Sequence, residues 1–301
     1  MAGKGKMVMG YVAGLLAGMA YGVNPLFGKP LIDAGVSILT MLFFRYAISV
    51  LVIGGWSLLS WRSLRVSWRE FGWVTLLGML FAISSLSLFA SYCYIPSGLA
   101  TTLIYLYPVM VALLMVMQKV YPSRRTWISI IVTFVGVALM CGTGEDLDIH
   151  PVGVSLALLS ALSYAGYFVI VNRVKSIQSI APYTITLYSL MSGATLYLVC
   201  LFVLDVDWNV GLSDSSNWLC LLGLALIPTT VALLGLTIST RLIGATKASV
   251  LGVTEPLTSI FIGVFLFREP MTVVGMVGVG LCLVAILFLM VGGKKGTDGE
   301  A

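Results

Sequence analysis

The chain has 301 residues, of which 59% are hydrophobic and 10% charged, where a soluble domain carries about 25% charged residues. Water is therefore excluded as the main solvent for most of it. The formal net charge is +5, but the basic residues stand singly between apolar runs, which excludes a nucleic-acid surface.

A helix needs ~20 residues to cross a ~30 Å hydrocarbon layer. Ten apolar runs answer to that in chain order: Val8–Gly28, Val36–Ser60, Phe71–Cys93, Leu99–Met117, Trp127–Cys141, Val152–Asn172, Tyr183–Leu204, Trp218–Ser239, Ala248–Phe267 and Val273–Val291. Trp127–Cys141 is short for a full crossing unless its helix runs past those bounds. Lys4, Lys6, Gly18 and Ala20 also fit a cleaved signal peptide. However, Tyr21–Lys29 has a counterpart at Tyr164–Asn172, which makes the first run part of a repeat.

With ten spans, the positive-inside rule puts both termini in the cytoplasm, because 14 of the 17 basic residues then fall on that side. Lys29 and Arg268 fall outside, and Arg45 lies within a span. The outer loops collect acids such as Asp33, Glu145, Asp148 and Asp205. The five cysteines form no CxxC pair and read as small buried side chains. Cys93 and Cys141 both fall near the outer face, which leaves one bond between them open.

The chain reads the same way twice. Ile95–Pro122 matches Ile243–Pro270 at a constant offset of 148, with Pro108 on Pro256, Pro122 on Pro270, Ala100 on Ala248 and Leu103 on Leu251. Two five-span halves, 1–148 and 149–301, follow. Five is odd, so the second half enters from the opposite side. The expected fold is an all-α membrane protein whose ten transmembrane helices form two inverted five-helix repeats. Exchange of conformation between inverted halves gives alternating access.

The stretch Ile243–Met290 resembles the second repeat of the EamA-type branch of the drug/metabolite transporter superfamily. The resemblance rests on Gly244-Ala245-Thr246-x-Ala248-Ser249, Glu255-Pro256, Glu269 and a glycine-rich last span. Pro96–Val109 and Phe44-Arg45-Tyr46 resemble the earlier copy. The resemblance implies a carrier with a cavity lined by spans 1–4 and 6–9. Its cargo could be amino acids, sugars, nucleotide precursors, quaternary amines or drugs. Tyr121 stands where the second copy has Glu269, a departure from the pattern.

Glu255 is the only acid inside an expected span. A charge there costs about 3 kcal/mol on insertion scales, so it should face a cavity or a partner. Three readings fit: a proton carrier, an anchor for a substrate ammonium, or a structural carboxylate paired with Arg45. Arg45 is the only base inside a span. It either grips a substrate carboxylate or snorkels outward onto helix-end carbonyls. Tyr107 is the repeat equivalent of Glu255. Tyr105, Tyr92, Tyr21, Tyr164, Tyr167 and Tyr188 add aromatic hydroxyls to the same spans. Each either contacts substrate or simply packs. Asn24 and Pro25 break span one; Asn24 either meets substrate or caps the kink. Pro108 and Pro256 are expected kinks, and Gly98 and Gly244 expected hinges beside them. Asn172 reads as a helix-end residue.

Enzyme motifs are absent from the sequence: there is no HExxH, no zinc set and no Gly-x-Ser-x-Gly elbow, and His150 stands alone before Pro151. No metal or cofactor is expected. The expected function is a secondary carrier for a small polar metabolite in a bacterial inner membrane, most simply an exporter of an amino acid or amine-bearing compound. Multidrug efflux and a non-transporting binding protein remain alternatives. The expected partners are the small-molecule substrate and the bilayer, with proton coupling through Glu255 as one reading and a monomer or weak homodimer as the assembly.

Overall fold

A computed structural model of the protein describes residues 2–60, 64–91, 93–95, 100, 103–141, 150–206, 208, 214–266 and 272–291. Among them every regular element is helical. In chain order these are α1 (Ala2–Gly22), α2 (Asn24–Asp33), α3 (Ile38–Leu59), α4 (Trp68–Ser91), α5 (Tyr107–Met117), α6 (Arg124–Cys141), α7 (Pro151–Arg173), the short α8 (Lys175–Gln178) and α9 (Pro182–Val203). Then follow α10 (Ser215–Ala225), a π-helical turn (Leu226–Val231), α11 (Ala232–Ile243), α12 (Ala245–Leu251), α13 (Thr254–Phe265) and α14 (Val273–Val291).

Among the described residues, six stretches are long and apolar enough to cross a membrane: Gly5–Asp33, Ile38–Leu59, Trp68–Ser91, Pro151–Arg173, Pro182–Val203 and Ser215–Ile243. Of the other expected spans, Val273–Val291 is one helix with those bounds, and Leu99–Met117 contains the 11-residue helix Tyr107–Met117. The run Trp127–Cys141 is helical from Arg124, three residues before its expected start. The run Ala248–Phe267 is two half-helices, α12 and α13.

Local chemistry sets the helix starts. Ser37 caps α3, its Oγ accepting from the Thr40 N–H at 3.1 Å. His150 caps α7 through Nδ1, which accepts from the Val152 N–H at 3.3 Å, and Pro151 opens the helix without needing a donor. Asp214 caps α10; the Ser216 N–H holds its carboxyl below the usual carboxylate range. Hydroxyls inside the helices return to carbonyls one turn back, as Thr237 does to Leu233 and Thr240 to Leu236, each at 2.8 Å. Cys93 is a free thiol.

The closest helix pairs are α6 with α14, α1 with α11, α4 with α7, and α3 with α9. Each joins a helix from before residue 148 to one from after it, so the two parts of the chain interdigitate. Small residues permit the approach. Gly10, Gly14, Gly18 and Gly22 form a four-residue ladder on α1 that lies on α11, α12 and α13. A Cβ on Gly14 would fall 2.6 Å from Ser239 Oγ, and one on Gly22 would fall 2.5 Å from the Glu255 carbonyl oxygen. A Cβ on Gly18 would strike Thr254 Oγ1. The sequence carries this signal openly, in the spacing of the four glycines.

This ladder generates a stability prediction. Gly18→Ala should destabilise by about 1–3 kcal/mol through overpacking. Gly55→Ala, where nothing lies within 4 Å of the added carbon, should be neutral or stabilising by up to about 1 kcal/mol. Thermal unfolding of the purified protein in detergent reads both; equal behaviour of the two variants would refute the close-packing account.

Candidate functional site

Two helix breaks meet inside the bundle. In the first, residues 105 and 106 form a turn and α5 begins at Tyr107, with Pro108 in its first turn. In the second, α12 ends at Leu251, Gly252 and Val253 turn, and α13 begins at Thr254 with Glu255 and Pro256 in its first turn. Proline was expected to kink these spans. Instead each proline sits where a new half-helix starts and where its missing N–H costs nothing.

The breaks partly satisfy one another. Tyr107 Oη donates to the Ser249 carbonyl at 2.8 Å, and the Gly252 N–H donates to the same oxygen at 3.2 Å. The phenol passes so close to Gly252 that a Cβ there would collide with it. Glu255 N–H closes back onto the Gly252 carbonyl at 2.9 Å.

Glu255 is partly exposed, whereas most of its surroundings are buried. Its electrostatic neighbours include Tyr105, Arg45, Tyr107, Tyr21 and Tyr164. Their rings form a continuous aromatic wall. Tyr107 lies 4.8 Å from Tyr164 and 5.6 Å from Phe168 between ring centroids. Tyr105 lies 5.9 Å from Tyr107. Phe81 links Tyr164 at 6.2 Å, Tyr167 at 5.8 Å and Tyr21 at 6.3 Å. Tyr167 is fully buried, its hydroxyl 2.8 Å from Thr237 Oγ1. Among the described residues, the Tyr21 hydroxyl is buried without a hydrogen-bond partner, and so is Asn24 Oδ1 where α2 begins.

Arg45 is 3% exposed and does not reach the outer surface. Its Nε donates to Thr229 Oγ1 and its Nη2 to the Pro228 carbonyl at 2.9 Å. Both acceptors belong to the π-helical turn, where widened backbone and Pro228 disturb the ordinary ladder. Thr229 Oγ1 in turn donates to Leu224 O, and Ser49 Oγ to Ala225 O, each at 2.8 Å. Arg45 and Glu255 sense each other's charge but form no direct ion pair.

Tyr188 lies elsewhere, donating to the Leu64 carbonyl at 3.1 Å and packing on Phe71. Gly244 joins α11 to α12 at φ 88°, a left-handed value that suits glycine. Pro25 lies in the first turn of α2. Tyr92 and Gly98 lie outside the described residues. Asn172 is not an idle helix end. Its Nδ2 donates to Thr240 O at 3.4 Å, and its carbonyl accepts from Gln178 Nε2. Arg241 completes this knot by donating to Ile180 O at 2.6 Å and to Gln178 O. Sequence reading also missed Phe81, Phe168 and the π-turn. The signal for the turn was Pro228-Thr229-Thr230 inside an apolar run.

Two stretches, residues 8–142 and 151–291, match the EamA-like transporter family. The chain is 28% identical over 230 residues to "Uncharacterized transporter sll1319" of Synechocystis sp., covering 74% of this chain and 67% of that one. It is 27% identical over 190 residues to an "Uncharacterized transporter" of Archaeoglobus fulgidus, covering 63% of this chain and 66% of that one. It is 27% identical over 186 residues to "Uncharacterized transporter YwfM" of Bacillus subtilis, covering 61% and 60%. The matches thus span about two thirds of these relatives' length. A protein crystal structure only 17% identical has the same fold, with a TM-score of 0.78 over 95% of this chain and 98% of that one.

The Arg45 geometry predicts a separation of roles. Arg45→Met leaves the Pro228 carbonyl without its donor and should destabilise by about 1–3 kcal/mol. Glu255→Gln removes no donor from a backbone break and should leave the melting temperature nearly unchanged. Differential scanning fluorimetry compares them; an unshifted Arg45→Met would refute the clamp.

Proposed function

The chain belongs to the EamA-like transporter family, and from that premise we propose that it carries a small polar metabolite bearing an amine across the plasma membrane by alternating access. It is an integral multi-pass membrane transporter, not an enzyme. The observation that carries the cargo reading is Glu255. A carboxylate sits at a helix break within an apolar bundle, with aromatic faces around it, a hydrogen bond from Tyr105 and, among the described residues, no cation bonded to it. Discontinuous helices meeting near mid-membrane are where carriers of this construction bind substrate and coupling ions. Glu255 is then the anchor for the cargo ammonium and the group that carries a coupled proton.

The reading includes ten spans, two inverted halves at 1–148 and 149–301, both termini in the cytoplasm, and export. Helix packing supports a pseudo-twofold. The pair α1 with α11 has its exchange-related counterpart in α7 with α4, and α1 with α13 has its counterpart in α7 with α5. The pairs α3 with α9 and α6 with α14 map onto themselves. The Arg241–Gln178–Asn172 knot ties the positively charged end, assigned here to the cytoplasm. A closed inner gate is one of the two states that alternating access requires.

Two measurements test this. Single cysteines at Ala34 and Ser179, in exchange-related exposed loops, should label from opposite sides of the membrane; labelling from a common side removes the inversion. Glu255→Gln in proteoliposomes should lose uptake driven by a pH gradient while retaining counterflow exchange. If the variant responds to the gradient as the unaltered protein does, Glu255 is not the coupling group.

A further inference from the structure

Within the alternating-access reading, on which this inference rests, we propose that Arg241 is the latch of the inner gate. It straps the loop between α8 and α9, and its loss shifts the resting population toward a state open on the cytoplasmic face. Arg241 lies in the last turn of α11. Its Nη1 donates to the Ile180 carbonyl at 2.6 Å and its Nη2 to the Gln178 carbonyl. Gln178 Nε2 donates to Asn172 O, and Asn172 Nδ2 donates to Thr240 O at 3.4 Å. The loop, the end of α7 and the end of α11 thus close one ring of hydrogen bonds. The loop is tied separately to α4. Ser179 Oγ donates to Glu70 Oε1 at 3.3 Å, while Glu70 Oε2 accepts from the Ser67 N–H at 2.6 Å. Arg241 is therefore the join between α11 and a loop that α4 also holds.

The exchange-related outer face is built differently. The offset of 143 between Tyr21 and Tyr164 puts Gln178 on Gly35 and Ile180 on Ser37, and the offset of 148 puts Arg241 on Cys93. A thiol is a single weak donor and cannot replace a guanidinium fork. The outer loop closes on its own backbone instead. The Gly35 N–H donates to Ile32 O at 2.9 Å and the Val36 N–H to Leu31 O at 3.0 Å. Among the described residues, the hydrogen bonds of Cys93–Ile95 run from their N–H groups to the Ala90 and Ser91 carbonyls of α4. Exchange of conformation between the halves then starts from unequal faces. Opening the inner face breaks two bonds from a charged donor, and opening the outer face breaks none at the equivalent position. The strap is also releasable. Arg241 is half-buried at a helix end, so water entering an opened inner face takes over its guanidinium and both carbonyls. Arg45, buried within the bundle, has no such substitute.

The test uses the full-length protein in proteoliposomes without cargo. Spin labels at Lys175→Cys and Lys247→Cys, on α8 and α12, span the inner face. Labels at Ala34→Cys and the native Cys93 span the outer face. In each pair the remaining native cysteines are replaced by alanine, and pulsed dipolar spectroscopy reads the two distances. With Arg241 in place, one short inner distance should dominate. Arg241→Ala should enlarge the population with a longer inner distance by about tenfold or more. It should shorten the outer distance in the same fraction of molecules. Arg241→Lys, whose ammonium lacks the planar fork, should shift both distances in the same directions by less, and it serves as the reading if Arg241→Ala does not fold. Unchanged distributions in whichever variants fold overturn the latch. A wider inner pair over an unmoved outer pair also overturns it, because a merely structural tie frays locally. Neither result touches the inverted halves, which the Ala34 and Ser179 labelling tests separately.

Discussion

A bilayer offers no water to a broken helix, so every carbonyl or N–H released inside it must find a partner in the protein. That constraint organises this molecule. The chain opens its helical ladder at Val23, at residues 105 and 106, at Gly252 and Val253, and again at the π-turn around Pro228. Side chains from other helices answer the openings: Ser259 donates to Gly22 O at 3.0 Å, Tyr107 to Ser249 O, and Arg45 to Pro228 O. The breaks can exist only because the helices around them are packed closely enough to deliver those donors.

Close packing in turn depends on glycine. Four glycines along one face bring α1 onto α11–α13, and Gly78 and Gly193 do the same for α9 against α4 and α3. A Cβ on Gly78 would meet Ser192 Cβ at 2.8 Å, and one on Gly193 would meet a Tyr46 ring carbon at 2.7 Å. Lipid tails are as apolar as leucine, so van der Waals fit and interhelical hydrogen bonds hold such helices together. The same closeness that stabilises the bundle places Tyr21 beside Glu255.

Duplication followed by divergence gives the site its polarity. Tyr107 and Glu255 occupy equivalent positions. The phenol spends its hydroxyl on the opposite break and becomes part of the scaffold. The carboxylate has only acceptor capacity when ionised, so it cannot repay the favour, and it accepts from the Tyr105 hydroxyl instead. In the proposed carrier reading, one copy closes the frame and the other supplies the chemistry. Arg45 looks like a second functional charge by sequence, yet its Nε and Nη2 are bonded to the π-turn.

The sequence by itself determined that this chain lives in lipid, that it is helical, and that it is built of two related copies, because hydropathy and a constant offset are properties of the order of residues. It also singled out Glu255, Tyr107 and their prolines, since a charge or a proline in an apolar run is conspicuous wherever the chain folds. Only the tertiary structure decided which of these groups are free. Arg45 and Thr229 are 184 residues apart, and Tyr107 and Ser249 are 142 apart. No local pattern reports a hydrogen bond across such distances. Tyr188 and Tyr164 read alike in sequence, yet one packs at a helix end and the other on the aromatic wall. Their difference comes from which helices lie alongside, and that is settled by packing.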